Sequence, residues 1–404
     1  MTESMKKEML LSRRHFVAGA GAAAVTLSVL KPETVFGATA NSKLEIGMIG
    51  CGGRGRWIAD LFQKHGGYQV VAAADYFQDR VDAFGEKFGV PADRRYTGLA
   101  CYKRLLEGKL DAVVIESPPC FHPEQAAAAV AAGRHVFLAK PIAVDVPGCH
   151  SIEESGRKAS ENKLCFLVDF QSRATAFYQE AVQRVHNGDI GLIVSGDVEY
   201  HTGRLGIQAP PGDQEARLKN WVFDIALSGD IITEQNIHAL DVCTWILDQA
   251  PLKAIGRGGR KGRTDVGDCW DHFSVIYTFP NDVLMTFSSK QFGEGHDDIL
   301  CRVYGVDGTI HTHYGGEVSI KGKKPYEGGQ TPDIYEKGAV TNIATFHDSI
   351  QKGDFSNPTV SPSVRSNLTT IVGRTAAYTG KEVTWDEVVK STERLDPKLQ
   401  GLKD

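Results

Sequence analysis

No two of the eight cysteines (51, 101, 120, 149, 165, 243, 269 and 301) stand in C-x-x-C spacing, so the sequence holds no paired-cysteine motif. Several lie in apolar segments, where cysteine behaves as a small buried hydrophobe, and few or no structural disulfides are expected. Basic residues form no long stripe, and 45 Lys and Arg against 50 Asp and Glu leave a net charge of only −5, which argues against nucleic acid as a partner. The longest leading apolar run, Val17 to Leu30, is too short to cross a bilayer, which takes ~20 residues, so stable membrane insertion is not expected. Internal repeats are also missing. What remains is ordinary: 42% hydrophobic and 24% charged residues, as in soluble globular proteins. With 404 residues, the chain should form about two domains.

The first forty residues read as a targeting segment. Lys6, Lys7 and the pair Arg13–Arg14 precede the apolar run, and Ala38-Thr39-Ala40 supplies small residues for a signal peptidase. Ser12-Arg13-Arg14-His15-Phe16 matches the twin-arginine export signal, so a periplasmic or otherwise exported location is expected, with a mature chain starting near Asn41.

The rest is organised around Lys43 to Asp75. Leu44, Ile46, Met48 and Ile49 make an apolar strand ending at Gly50, and Gly50, Gly52 and Gly55 satisfy G-x-G-x-x-G ahead of a helix-like segment with Ile58, Ala59, Leu61 and Phe62. The first glycine permits a tight turn and the second lets backbone approach a pyrophosphate. The third allows close helix–strand packing, while the helix N-terminus aims free N–H groups at phosphate. Gly53 and Arg54 complete that loop. Val70 to Ala74 is a second buried strand, and Asp75 ends it 20 residues beyond Gly55, where a carboxylate bonds the ribose hydroxyls of NAD. Tyr76 follows rather than a basic residue, which favours NAD; Arg80, one helical turn on, leaves NADP open.

Strand and helix signals then alternate to Asp169. Helices are expected at 80–88, 101–106, 124–132 and 152–163, with strands at 112–115, 135–138 and 165–169. That rhythm predicts an α/β protein whose N-terminal domain is a Rossmann-type doubly wound parallel sheet. Ser117-Pro118-Pro119 and Lys140-Pro141 close two of these strands at their carboxyl ends, where such sheets bind ligands. Beyond Asp169, helix 176–186 and strand 193–200 lead to a polar loop over 204–219. Strands at 252–258, 271–280, 283–290, 298–304 and 308–313 follow without intervening helices, which predicts an open, largely antiparallel sheet. A surface loop is expected over 322–338 and terminal helices over 342–351 and 363–378. The boundaries are therefore 1–40 for the signal, 41–168 for the nucleotide domain and 169–404 for a C-terminal α/β domain.

Two pieces could carry chemistry. Lys140 is held at a strand end by Pro141 and could move a proton or hold a hydroxyl, more so if burial lowers its pKa. In Gly229 to Asp241, spacings of four and three place Glu234, His238 and Asp241 on one face of a helix, so that Glu234 could orient His238 and raise its basicity. His311 and His313 alternate on a strand, but nothing fixes a ligand count there or around His238, and no metal centre is expected.

These residues carry a resemblance. Gly50-Cys51-Gly52-Gly53-Arg54-Gly55, Ser117-Pro118-Pro119 with His122, Lys140-Pro141, Gly188-Asp189-Ile190-Gly191 and the Glu234/His238/Asp241 segment resemble the Gfo/Idh/MocA family of glucose–fructose oxidoreductase, inositol dehydrogenase and their relatives. The resemblance implies hydride transfer between nicotinamide and a sugar, cyclitol or similar polyol, and homo-oligomers built on the open sheet. By it Lys140, His238 and Glu234 take the catalytic positions, and Ser117, Pro118, His122 and Lys140 join the cofactor site. Gln171, Arg173, Trp221, Asp224 and Asp241 lie where family members reach for substrate. Ala139 stands where the family commonly has glutamate, and Glu234 where it has aspartate. Export leaves little free cofactor to exchange, which implies tight binding. It also keeps in view a redox-neutral glycosidase cycle, and the missing glutamate keeps in view a non-catalytic sugar-binding protein.

Overall fold

The computed structural model describes residues 43–404, and the predicted export signal over residues 1–40 lies outside the described residues. Six short strands, largely buried except for the edge strand β3 and the starts of β1 and β2, make the first sheet: β1 (Leu44–Ile49), β2 (Tyr68–Asp75), β3 (Arg95–Thr97), β4 (Ala112–Ile115), β5 (His135–Ala139) and β6 (Phe166–Asp169). Every pairing is parallel, in the order β3-β2-β1-β4-β5-β6. The connecting helices are α1 (Gly53–His65), α2 (Gln78–Phe88), α3 (Cys101–Glu107), α4 (His122–Ala131) and α5 (Val146–Glu161). Continuous apolar strands need cover on both faces, and these amphipathic helices provide it. The strand order reverses between β1 and β4, so their carboxyl ends diverge and open a crevice.

After α6 (Ala176–His186), β7 (Ile193–Thr202) enters the second sheet. Its other members are β8 (Lys253–Gly259), β9 (His272–Phe279), β10 (Val283–Gln291), β11 (Asp298–Gly305), β12 (Gly308–His313), β13 (Glu317–Gly322), β14 (Tyr326–Gln330) and β15 (Val383–Thr384). The order is β14-β13-β12-β11-β7-β10-β9-β8-β15, with β7 and β10 parallel and the other pairings antiparallel. Alternation sets the faces. In β9, Phe273, Val275, Tyr277 and Phe279 turn inward, while Ser274 and Ile276 turn out. The inner face packs on α10 (Ile237–Leu247) and α12 (Val360–Thr379); the outer face is open and exposes Ile255, Ile276 and Leu284. All eight cysteines are free thiols, seven of them buried.

Three expectations need correction. Residues 322–338 are not a loop: β14 adds an edge strand through backbone pairing, and α11 (Ile334–Lys352) begins well before residue 342. The polar loop over 204–219 contains α7 (Gln214–Lys219), whose first turn is capped by Asp213 accepting from the Ala216 N–H at 2.9 Å. The single helix expected over 229–241 is broken into α9 (Ile231–Glu234) and α10, preceded by α8 (Ile225–Ser228). Gln235 and Asn236 separate α9 from α10, and α9 itself starts after Asp230, a buried residue with φ of 72°. Its carboxylate holds that left-handed backbone by accepting from Ile231 N (2.6 Å) and the Tyr378 hydroxyl (2.6 Å).

Helix α11 returns to the first sheet. Ala339, Ile343 and Phe346 enter the apolar cluster of Ile46, Met48, Ile58, Phe62 and Phe137, and the Tyr68 hydroxyl donates to the Ile343 carbonyl at 3.0 Å.

Candidate active site

A cleft of about 940 Å³ runs across the carboxyl ends of β1, β2, β4 and β5 and up to the second sheet. Its floor is the glycine loop. Gly50 has φ of +96°, and a side chain there would strike the Glu116 carbonyl carbon at 2.6 Å; a Cβ on Gly55 would lie 1.8 Å from the Gly50 oxygen. These two glycines are dictated by packing within the loop. Gly52 and Gly53 differ: a Cβ on Gly53 meets nothing within 4 Å, and on Gly52 only Arg80 Nη1 at 3.7 Å. Their backbone therefore faces open cleft, the space that a pyrophosphate needs ahead of α1. Asp75 lies on the wall, accepting from Cys51 N (2.8 Å) and Phe77 N (3.0 Å), with its pKa raised by burial. Arg80 lines the same end, stacked 4.6 Å from the Phe77 ring centre. The dimensions, the bare loop and the wall carboxylate fit a dinucleotide.

Ser117 and Pro118 line the cleft, and Ser117 donates to Gln125 Oε1 at 2.6 Å. His122 is buried behind them. Its ring nitrogens sit 2.7 Å from the Ser117 carbonyl and 2.8 Å from the Pro141 carbonyl, tying the two strand-end turns together. Burial outweighs those two contacts and pushes its pKa down to about 4. His122 is thus a brace rather than a surface of the cleft.

Lys140, Glu234 and His238 come from different elements and all line the cleft. The Lys140 ammonium donates to the Glu234 carbonyl at 2.6 Å and lies 3.5 Å from its carboxylate. Burial lowers the Lys140 pKa, opposed by Glu234. Glu234 does not orient His238 as the spacing suggested, because the break after α9 turns the carboxylate toward Lys140. It thereby supplies the lysine with the acidic neighbour that Ala139 does not provide. His238 is 8% exposed, with its Nδ1 buried and without a partner, and its ring stands 5.1 Å from that of Tyr314. Burial, reinforced by Lys140 and Arg54, holds its pKa well below the ordinary value, so the ring is neutral at physiological pH.

The positions expected to reach substrate divide. Trp221 lines the cleft; Gln171, Arg173, Asp224 and Asp241 are not among its lining residues. Arg173 makes a bidentate pair with the fully buried Asp241, which also accepts from Ser366 Oγ at 2.6 Å. Asp224 pairs with Arg217 and caps α8 through Ala226 N and Leu227 N. Gln171 is buried and donates to Asp169 at 2.7 Å. Each of these polar groups satisfies a neighbour in the protein.

Arg54, expected among the cofactor-binding residues, lines the cleft and spans its base, donating from Nε to Glu116 (2.7 Å), from Nη2 to Asp169 (2.6 Å) and from Nη1 to the Tyr335 hydroxyl (2.5 Å). Sequence reasoning missed this set. Glu116 follows β4 and Asp169 ends β6, both at carboxyl ends of parallel strands, which was an available signal; Tyr335 lay in the presumed loop. Glu116 is wholly buried, and its pKa rises to about 7 through burial, offset by Arg54 and aggravated by Asp169. Tyr200 and Gln235, also unforeseen, line the same cleft as Lys140 and His238.

Of the histidine pair, His313 bonds Asp298 (2.8 Å) and His311 abuts the Arg302 guanidinium (3.1 Å), a poor setting for a cation. Among the described residues, Glu199, His201 and His296 do bring ligand atoms within 4.8 Å of one another on the open sheet face. His201 there is already engaged by Ser288 (3.0 Å) and lies 3.5 Å from Glu199.

Residues 44–170 match the model of an oxidoreductase family with an NAD-binding Rossmann fold, and residues 178–311 match the GFO/IDH/MocA C-terminal domain. The chain is 23% identical over 330 residues to an inositol 2-dehydrogenase of Rhizobium meliloti, covering 77% of this chain and 89% of that enzyme. It is 29% identical over 206 residues to the inositol 2-dehydrogenase of Klebsiella pneumoniae, covering 51% of this chain and 55% of that enzyme, so this match spans about half of the relative's length. Among solved structures, the aldose-aldose oxidoreductase from Caulobacter crescentus complexed with glycerol superposes with a TM-score of 0.68 at 18% identity, covering 85% of this chain and 99% of the other.

Proposed function

The chain belongs to the Gfo/Idh/MocA family of NAD-binding oxidoreductases, and we propose that it transfers hydride between NAD and a ring hydroxyl of a sugar or cyclitol. The observation that carries this reading is the convergence of a neutral, buried His238 and a Glu234-held Lys140 on the glycine-loop cleft. NAD bound along Gly50–Gly55 supplies the hydride acceptor. The uncharged His238 ring accepts the proton of the substrate hydroxyl, which a protonated ring could not do. The Lys140 ammonium, fixed by Glu234, donates to the same oxygen and stabilises the charge that develops as its proton leaves. Tyr200, Trp221 and Gln235 wall the space where the polyol ring would lie. Asp75 selects NAD through the ribose hydroxyls, with Arg80 the cation that acts on its carboxylate.

The test is purified protein with NAD, screened against cyclitols and aldoses for a substrate-dependent rise in NADH absorbance. Inositols or aldoses should give turnover. Glycoside cleavage without net NADH, or nucleotide binding with no turnover on any polyol, would overturn the proposal.

Two further readings accompany it. Export through the twin-arginine route is supported by Arg13–Arg14 and Ala38-Thr39-Ala40, and Arg13→Lys with Arg14→Lys should retain the protein in the cytoplasm. Self-association is supported by Ile255, Ile276 and Leu284, each about half exposed on one open sheet face. Sedimentation of Ile276→Glu against wild type tests it.

A further inference from the structure

A third, small apolar cluster lies apart from the two main cores and draws on three remote stretches of chain. Tyr76 and Phe77 come from the rim after β2, Leu218 from α7 and Leu227 from α8, and Leu399 and Leu402 pack on them from the last described stretch. Residues 203–222, the loop that follows β7, carry Leu205, Gly206, Gln208, Leu218, Lys219 and Trp221 into the cleft and meet Tyr76 and Phe77, next to the end that holds Asp75 and Arg80. That end is where the ribose carboxylate places the adenosine half of a dinucleotide.

Direct bonds between the loop and the rim are few. The Tyr76 hydroxyl donates to Glu215 (2.9 Å), and Lys219 stands 5.0 Å from the Phe77 ring centre. Residues 395–404 supply the remaining fastening. Leu395 N donates to Asp145, the N-cap of α5 (3.0 Å); at the rim, Leu99 N donates to the Lys403 carbonyl (3.0 Å), and Lys403 Nζ lies 5.4 Å from the Tyr76 ring centre. On the loop, Arg217 donates to the Pro397 carbonyl (2.5 Å). Gly98 leaves the room required, since a side chain there would meet Asp404 at 2.1 Å. One segment therefore grips both sides of the mouth while lining none of it.

We infer that residues 395–404 are a strap that holds the 203–222 loop closed over the adenosine end of the cleft, so that the dinucleotide is retained between turnovers. The inference rests on the assignment of that cleft to NAD. A bound nucleotide leaves only when the loop lifts, and lifting it requires Leu399 and Leu402 to come out of their cluster. The strap should act on the dissociation rate, because a fastened cover slows exit.

The experiment loads the protein with NADH, adds excess NAD and follows the loss of bound NADH fluorescence. Leu399→Ser with Leu402→Ser should speed dissociation about 10- to 100-fold and weaken Kd by a similar factor, with association changed less than threefold. Leu402→Ala, a milder change, should move the rate the same way by a smaller factor and serves if the double variant does not melt cooperatively. Dissociation within twofold of wild type in a cooperatively melting variant would overturn the strap. Failure of the wild-type protein to bind any nicotinamide nucleotide would instead overturn the cofactor assignment beneath it.

Discussion

Arg54→Met is the sharpest probe of the cleft base. It removes the cation between two carboxylates whose side chains are fully buried, and the consequences differ for the two. Asp169 keeps Gln171 (2.7 Å) and Asn342 (2.8 Å) as donors, whereas Glu116 loses its partner at Oε2 and already has a buried, partnerless Oε1. Breaking a buried pair from one side costs about 3–5 kcal/mol. Glu116 can escape part of that by keeping a proton. With Arg54 present its pKa already stands at about 7, and without Arg54 it moves higher. For a carboxyl with a raised folded pKa, the stabilising contribution is complete below the unfolded value and is lost as pH rises through the folded one. The variant's penalty relative to wild type should therefore grow between pH 6 and pH 8, by about 1–2 kcal/mol at ~1.4 kcal/mol per pH unit. Urea unfolding followed by tryptophan fluorescence at both pH values measures it. Arg54→Met with Glu116→Gln should recover most of the loss, because the amide needs no counter-charge. An equal penalty at both pH values, or a double variant no better than the single one, would refute the reasoning.

Three other outcomes follow. Gly55→Ala places a methyl 1.8 Å from the Gly50 oxygen, so the loop must move, and NAD affinity measured by calorimetry should fall at least ~10-fold. His238→Asn should leave NADH binding near wild type and lower kcat by roughly 10²–10⁴, the range for losing a general base; a change confined to KM would exclude the base role. His122 has a folded pKa of about 4, below its unfolded value, so its contribution is present above pH ~6.5 and lost as pH falls toward 4, about 3 kcal/mol in all. Urea midpoints should drop over that window, and His122→Gln should flatten the drop.

Local pattern sufficed where chemistry and packing coincide along the chain. The glycine loop, the strands from β7 to β12 and the line-up of Lys140 and His238 on one cleft were legible, because turn geometry, alternation and strand ends are set by neighbouring residues. The partners of charged groups were not. Glu234 was matched to His238 by helical spacing, but the chain breaks at Gln235–Asn236 between α9 and α10, and Glu234 meets Lys140 instead. Arg173, Asp224 and Asp241 are polar residues near the site in sequence whose bonding is consumed by Asp241, Arg217 and Ser366. Arg54 could be placed with the cofactor loop from its position, but not its pairing with Glu116 and Asp169, two buried acids at the ends of other strands. The strand at 326–330 was missed because an edge strand owes its place to backbone bonds rather than to apolar side chains.

The return of α11 to the first sheet sets the order in which this protein can mature. A nascent chain that has emerged only as far as β6 carries every strand of the nucleotide domain but lacks Ala339, Ile343 and Phe346, so the flank around Phe62 and Phe137 stays wet. At ribosomal speeds of ~5–20 residues per second, the wait for Phe346 is on the order of ten seconds or more, long enough to call for a chaperone. Cutting the gene after residue 170 should for the same reason yield an aggregating fragment rather than a free-standing NAD-binding module.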